Sequence, residues 1–342
     1  MQNKWLIQDI WNETLIDKPF EINKRDYIRA SDIGKSFLDR YYSMTGEPWT
    51  NVFDARVLRI FEAGNLYEWL VRLILVRAGI LHSTQEEVKI TGSDHLDVIG
   101  HLDFIGGGEP NWNMAKQIVP QLEQLYFPTR MLKIADGIIA RLQEKFPAGL
   151  PKVLFDVKSI NSMVFWRHMS KNEGNQPLME AYDHHVLQLY TYMKGKGFNE
   201  GRLLYISKDD LTLAEAEVRA DEGLEKRWRT DVQQMSYYYR QGIVPPREPD
   251  IVWDKNKYRI NWKIQRSNYL EKIVGMKQEV WEDQIKKLEG RANYRVKEIV
   301  KKQGPTNSFE IRNKVDPYLE QELTAIYGDP SKVVIRKVDV HG

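Results

Sequence analysis

The chain has 342 residues, 42% of them hydrophobic and 29% charged, an ordinary globular composition in a chain too long for one small core. Its formal charge of +2 carries no global basic excess, so any surface for a polyanion has to be a local patch. With no cysteine, disulfides, thiolate metal sites, iron–sulfur clusters and cysteine nucleophiles are excluded.

The opening stretch MQNKWLIQDIWNE lacks a long apolar core, and no run approaches membrane-spanning length. The expectation is an intracellular, cytoplasmic protein with no membrane partner. Residues 1–30 show no clear period and form an N-terminal segment. Ser31 is expected to cap a helix running to about Gly46, and 54–78 reads as a long helix stopped by Gly79. Glu68 lies among its apolar positions, one turn after Gly64. It is either a partly exposed surface glutamate or a carboxylate whose face Gly64 clears for a metal or phosphate.

Residues 86–91 and 97–105 read as two strands joined by a turn, with Ile99, His101, Asp103 and Ile105 on one face of the second. The glycines 106–108 that follow suggest a flexible exit or a close approach to a ligand. A helical stretch over 114–145, broken near Pro120 and Pro128, is an expected insertion spanning about 107–150.

The next strand, 152–158, holds the sharpest chemical signal. Period-two alternation puts Val153, Phe155 and Val157 on one side and Leu154, Asp156 and Lys158 on the other. A carboxylate and an ammonium thus share one face at the end of an apolar run. That combination suits a hard cation beside an attacking water, and it also arises by chance on solvated strands. A short helix within 159–176 and a helix over 177–194 follow. The second carries His184 and His185, which face different ways, and Gln188 and Tyr192, which stack on one face.

Residues 201–207 and 213–219 read as a hairpin, and 222–241 as a helix. In 249–270, Trp253, Tyr258, Trp262 and Tyr269 interleave with lysines and arginines, which suits either nucleic-acid stacking or anchoring of an irregular segment to the core. A charged helix spans 278–303, and a short helix (317–327) and strand (332–340) end the chain.

Taken in order, Gly64-Asn-Leu-Tyr-Glu68, Gly100-His-Leu-Asp103, Asp156-Val-Lys158 and Gln188-Leu-Tyr-Thr-Tyr192 resemble the PD-(D/E)XK nucleases, in their RecB-type exonuclease branch. Leu204-Tyr-Ile-Ser-Lys-Asp-Asp210 is similar to the strand and turn that follow in phage-encoded members. The resemblance implies an α/β restriction-endonuclease-like core over 31–248, a mixed central sheet flanked by helices, with a C-terminal α+β extension over 249–342. It implies a metal-dependent DNA exonuclease of recombination, repair or phage DNA processing; the alternatives are an endonuclease of the same fold and a catalytically silent DNA-binding partner subunit.

By the same resemblance, Asp103, Asp156, Glu68 and the Val157 carbonyl hold Mg²⁺ or Mn²⁺. Lys158 orients or deprotonates water, and Gln188 and Tyr192 hold the strand or buttress Lys158. Ser31, Lys35, Gln188, Tyr192 and Lys208 contact DNA, single-stranded or at duplex ends, with a helicase or recombinase as a possible partner. Several relatives clamp their chain ends with a four-cysteine iron–sulfur cluster. Here Ser36 stands where the first cysteine would lie, and Trp253, Tyr258 and Trp262 are expected to replace the cluster by apolar packing.

Overall fold

The computed structural model describes residues 23–51, 53–110, 113, 128–171, 177–254 and 257–303. Of these, 23–34 and 53–241 form one compact unit, and 35–51 with 242–303 form a second. Residues 35–51, read from the sequence as part of the nuclease-like core, pack instead with the C-terminal unit. The expectations for residues 1–22, for 114–127 of the insertion and for the tail helix and strand lie outside the described residues.

In the first unit, β1 (Ile28–Arg29) leads into a 3₁₀ turn, Ala30–Asp32. The long helix α2 (Ala55–Arg77) follows the second unit's α1 (Phe37–Thr45) in the chain, and its N-cap Asp54 accepts from the Val57 amide at 2.8 Å. Next come β2 (Leu81–Thr84), β3 (Glu87–Ile90), β4 (Val98–His101) and β5 (Phe104–Gly108), then α3 (Pro128–Lys145), which opens on a proline. The central strand β6 (Leu150–Ile160), α4 (Ser162–His168), β7 (Met169–Lys171), β8 (Pro177–Met179) and α5 (Asp183–Lys196) follow. The hairpin β9 (Glu200–Ser207) and β10 (Leu213–Arg219) and the helix α6 (Glu222–Gln241) complete the unit.

Seven strands form one mixed sheet in the order β2-β5-β6-β9-β10-β8-β7. Its longest member, β6, pairs antiparallel with β5 (Phe104 opposite Phe155) and parallel with β9 (Asp156 opposite Leu203, Lys158 opposite Tyr205). Helices cover both faces. Val71 and Val76 of α2 pack with Phe104, Leu204, Ile206, Phe155 and Val157, whereas α5 lies over the other face, where Gly201 leaves space for Leu189 and Met193. A second sheet, β1-β4-β3, takes the chain just before Asp103.

Three local expectations change. Ser36, not Ser31, caps α1, accepting from the Asp39 amide; Ser31 lies in the 3₁₀ turn. The expected strand 97–105 breaks at Leu102 and Asp103, with β4 in one sheet and β5 in the other. Pro177–Met179 is a strand, not helix, lying between β10 and the edge strand β7, with the proline as its first residue. The glycine run after Asp103 serves the sheet itself: a Cβ on Gly107 would lie 2.2 Å from the Pro151 carbonyl of β6.

The second unit pairs the hairpin β11 (Ile251–Asp254) and β12 (Lys257–Ile260) with α1, α7 (Trp262–Gln265), α8 (Leu270–Val274) and α9 (Gln278–Gln303). Asn293 of α9 bonds both backbone groups of Tyr258, at 2.7 and 2.9 Å. Of the rings expected to replace a cluster, Tyr258 is buried, Trp262 is 37% exposed, and the Trp253 side chain lies outside the described residues. Tyr258 joins Tyr269, Trp281 and the aliphatic side chains around them in this core.

Candidate active site

Asp156 and Lys158 project from the α5 side of β6, as the alternation predicts. Lys158 Nζ lies 2.7 Å from Asp156 Oδ2 as an ion pair, and Oδ1 of this 1% exposed carboxylate has no hydrogen-bond donor. Asp103, at the break between the two sheets, reaches across so that its Oδ2 accepts from the Val157 amide at 2.7 Å. Glu68 approaches from α2, and its carboxylate accepts from the side-chain amide of Gln85.

These groups lie close enough to shift one another's protonation. Burial, and then the Asp156 charge, push the Asp103 carboxyl well above the usual carboxylate range; burial raises Asp156 while Lys158 opposes the rise. Burial also raises Glu68, against the Gln85 hydrogen bond. For Lys158, burial pulls the pKa down, but Asp156, Asp103 and Glu68 more than offset this, so it stays an ammonium. Tyr192 is 3% exposed, and burial together with the Asp156, Asp103 and Glu68 charges keeps it a phenol. Gln188 donates to its hydroxyl at 3.0 Å.

The structure thus brings Glu68, Asp103, Asp156, Lys158, Gln188 and Tyr192 to one place. Tyr192 is too buried to offer an open DNA contact; its position is that of a group within the carboxylate cluster. Ala30, the residue before Ser31, meets the Tyr192 ring over Gly100, where a Cβ would lie 2.6 Å from the alanine methyl and 2.8 Å from the ring. Lys208 opens the β9–β10 turn, donating its amide to the Ile160 carbonyl (3.0 Å) and accepting from the Tyr67 hydroxyl (2.9 Å) through its own carbonyl. Lys35 belongs to the second unit. A Cβ on Gly64 would meet Ser159 Oγ at an ordinary 3.8 Å. His185 hydrogen-bonds Tyr205 at 2.9 Å and packs against His184, a packed rather than ligating pair.

Sequence reasoning missed Gln85. It is one of two described non-glycine residues with positive φ (53°), its amide N donates to the Asp103 carbonyl at 3.2 Å, and its side chain holds Glu68. No sequence signal marks it, because the role depends on a left-handed backbone in the β2–β3 link.

Among the described residues, no group of three His, Cys, Asp or Glu side chains forms a ready-made metal cage. The chemistry of the donors nonetheless fits a hard divalent cation. The set is all oxygen, and Asp156 presents a buried carboxylate oxygen, Oδ1, with no donor, beside two further carboxylates that repel it.

No protein-family model and no curated protein matches the sequence. Among the solved structures that overlap it loosely are two of note. The crystal structure of SSO0001 does so at TM-score 0.38 and 13% identity, over 77% of this chain and 93% of that one. The crystal structure of LHK-Exo in complex with dAMP does so at 0.37 and 12%, over 69% and 94%. Overlap this loose assigns no residue roles. The fold is mixed α/β, a central mixed sheet flanked by helices, and the functional reading rests on the site's own geometry.

Proposed function

We propose that this protein is a divalent-metal-dependent deoxyribonuclease of the PD-(D/E)XK kind, acting as a RecB-type exonuclease. One observation carries the reading: Asp156 and Lys158 meet at 2.7 Å on one face of the central strand, with Asp103 fastened to the amide between them. Three carboxylates around one buried lysine are unfavourable as a structural device, since burial already opposes their charge. They become favourable where a cation and a phosphate are to be held.

Asp103, Asp156 and Glu68 would hold Mg²⁺ or Mn²⁺, which would supply Lewis-acid polarisation of the phosphoryl oxygen and a more acidic water. The chain's own residues do the rest. Lys158, an ammonium among three acidic neighbours, acts as a cation toward charge growing on the phosphate. Tyr192 retains its proton and, steadied by Gln188, fixes the acidic cluster from the α5 side. Gln85 sets the Glu68 carboxylate. Lys208 supplies a cation for the backbone of the bound strand.

The test is digestion of end-labelled single-stranded, duplex and closed circular DNA with Mg²⁺, Mn²⁺ or EDTA. Metal-dependent loss of linear DNA with circles intact is expected. Cut circles would make it an endonuclease; binding without cleavage under any metal would make it a silent DNA-binding subunit.

A further inference from the structure

Just past the site strand the surface changes character. β6 ends at Ile160, and α4 starts two residues later, capped by Asn161 accepting from the Met163 amide at 3.0 Å. Phe165, fully buried, pins this short helix. Its outer side presents Met163, 75% exposed, and Trp166, 50% exposed, three residues apart and hence on one face. The Phe165 ring meets the indole edge-on at 5.5 Å, and the Asp210 carboxylate of the β9–β10 turn faces the Trp166 side chain. Trp166 is therefore steadied from two sides while half of it stays open to solvent. Leu211, next in that turn, is 51% exposed.

The same turn begins with Lys208. Its backbone ties β6 to α2, through the Ile160 carbonyl and the Tyr67 hydroxyl. Among the described residues no carboxylate pairs with its ammonium, and burial alone lowers its pKa. At about 3.3 Å per strand residue, Ile160 lies about 13 Å beyond Asp156. The apolar shelf thus starts a few nucleotides along a strand whose phosphate is held at Asp156.

A large exposed aromatic, a thioether on the same face and an unpaired ammonium are what a single strand needs: a flat surface for a base and a cation for the backbone. A duplex hides its base faces in the stack and gains nothing from such a shelf. We propose that Trp166 and Met163 stack an unpaired nucleobase a few nucleotides from the scissile phosphate while Lys208 holds its backbone, so that the protein takes single-stranded ends in preference to blunt duplex. This rests on the nuclease reading above.

The experiment measures binding of the full chain, in EDTA, to a single-stranded oligonucleotide carrying 2-aminopurine near its end and to a blunt duplex of the same sequence, by anisotropy and base fluorescence. The parent's cleavage with Mg²⁺ is recorded in parallel. Trp166→Ala should bind the single strand about tenfold more weakly and lose the quenching that stacking produces, with duplex affinity unchanged. Trp166→Phe should keep most of both. If the parent cleaves DNA but Trp166→Ala binds single strands as the parent does, or weakens single strand and duplex equally, the shelf is refuted and the nuclease stands. If the parent neither binds nor cleaves, both fail.

Discussion

The Val157 amide donates a 2.7 Å hydrogen bond to Asp103 Oδ2, joining residues 54 apart in the chain. It places the Asp103 carboxylate at the peptide that separates Asp156 from Lys158, and so fixes how closely like charges crowd. Without a cation that crowding is a cost, and its pH dependence has a definite sign.

Burial and the Asp156 charge raise Asp103, and burial raises Asp156. A carboxyl with a raised folded pKa binds its proton better in the native state. Its stabilisation is complete below the unfolded pKa of about 3.9 and is lost as pH rises through the raised value. Lys158, also raised, stays charged throughout. The metal-free protein should therefore lose thermal stability from about pH 4 toward neutrality. Asp103→Asn keeps an oxygen for the Val157 amide and removes the charge. In EDTA at neutral pH it should melt about 2–4 °C above the parent, the shift expected of ~1 kcal/mol, with the gap closing in acid. A variant that melts below the parent at both pH values contradicts the electrostatic account.

Gln85 separates geometry from function. Its φ of 53° is costly for a residue with a side chain, whereas glycine adopts it freely. Gln85→Gly should be at least as stable as the parent yet lower cleavage about tenfold by releasing Glu68. Thermal melts and single-turnover rates on the same preparation decide this. Unchanged cleavage would mean that Glu68 needs no such support.

Gly100 is where Tyr192 and Ala30 close in. An added methyl would sit 2.8 Å from the ring and 2.6 Å from the alanine methyl, so Gly100→Ala should destabilise the first unit by about 1–3 kcal/mol and move the phenol. Denaturant unfolding measures the first effect. A variant of parental stability would show that the site gives way easily.

Much of this was legible in the sequence because the signals are local. Asp54 and Gly79 bound α2, the β9–β10 hairpin and α6 fall where they were read, and period two alone put Asp156 beside Lys158. The misses have non-local causes. Alternation runs unbroken through 97–105, so nothing marks the step from one sheet to the other at Leu102 and Asp103, which is what frees Asp103 to reach Val157. Pro177–Met179 becomes a strand only because β10 and β7 are there to pair with it. Ser31 and Ser36 are equivalent as caps until the backbone chooses. In the second unit, interleaved aromatics did not reveal which rings face inward.

That last point is open to direct test. Tyr269 is fully buried while Trp262 is 37% exposed. Tyr269→Ala should cost about 3–5 kcal/mol and Trp262→Ala little. Equal losses in urea unfolding would place Trp262 in the core after all.

The central claim is that Asp156 and Lys158 act together on a phosphodiester with a bound cation. The decisive measurement is the single-turnover cleavage rate of end-labelled linear DNA with Mg²⁺ for the parent, Lys158→Ala and Asp156→Asn, alongside calorimetric titration of Mn²⁺ into each. Lys158→Ala should lose cleavage by orders of magnitude while still binding Mn²⁺, and Asp156→Asn should lose both. Cleavage by Lys158→Ala at the parent's rate, or undiminished Mn²⁺ binding by Asp156→Asn, would contradict the account.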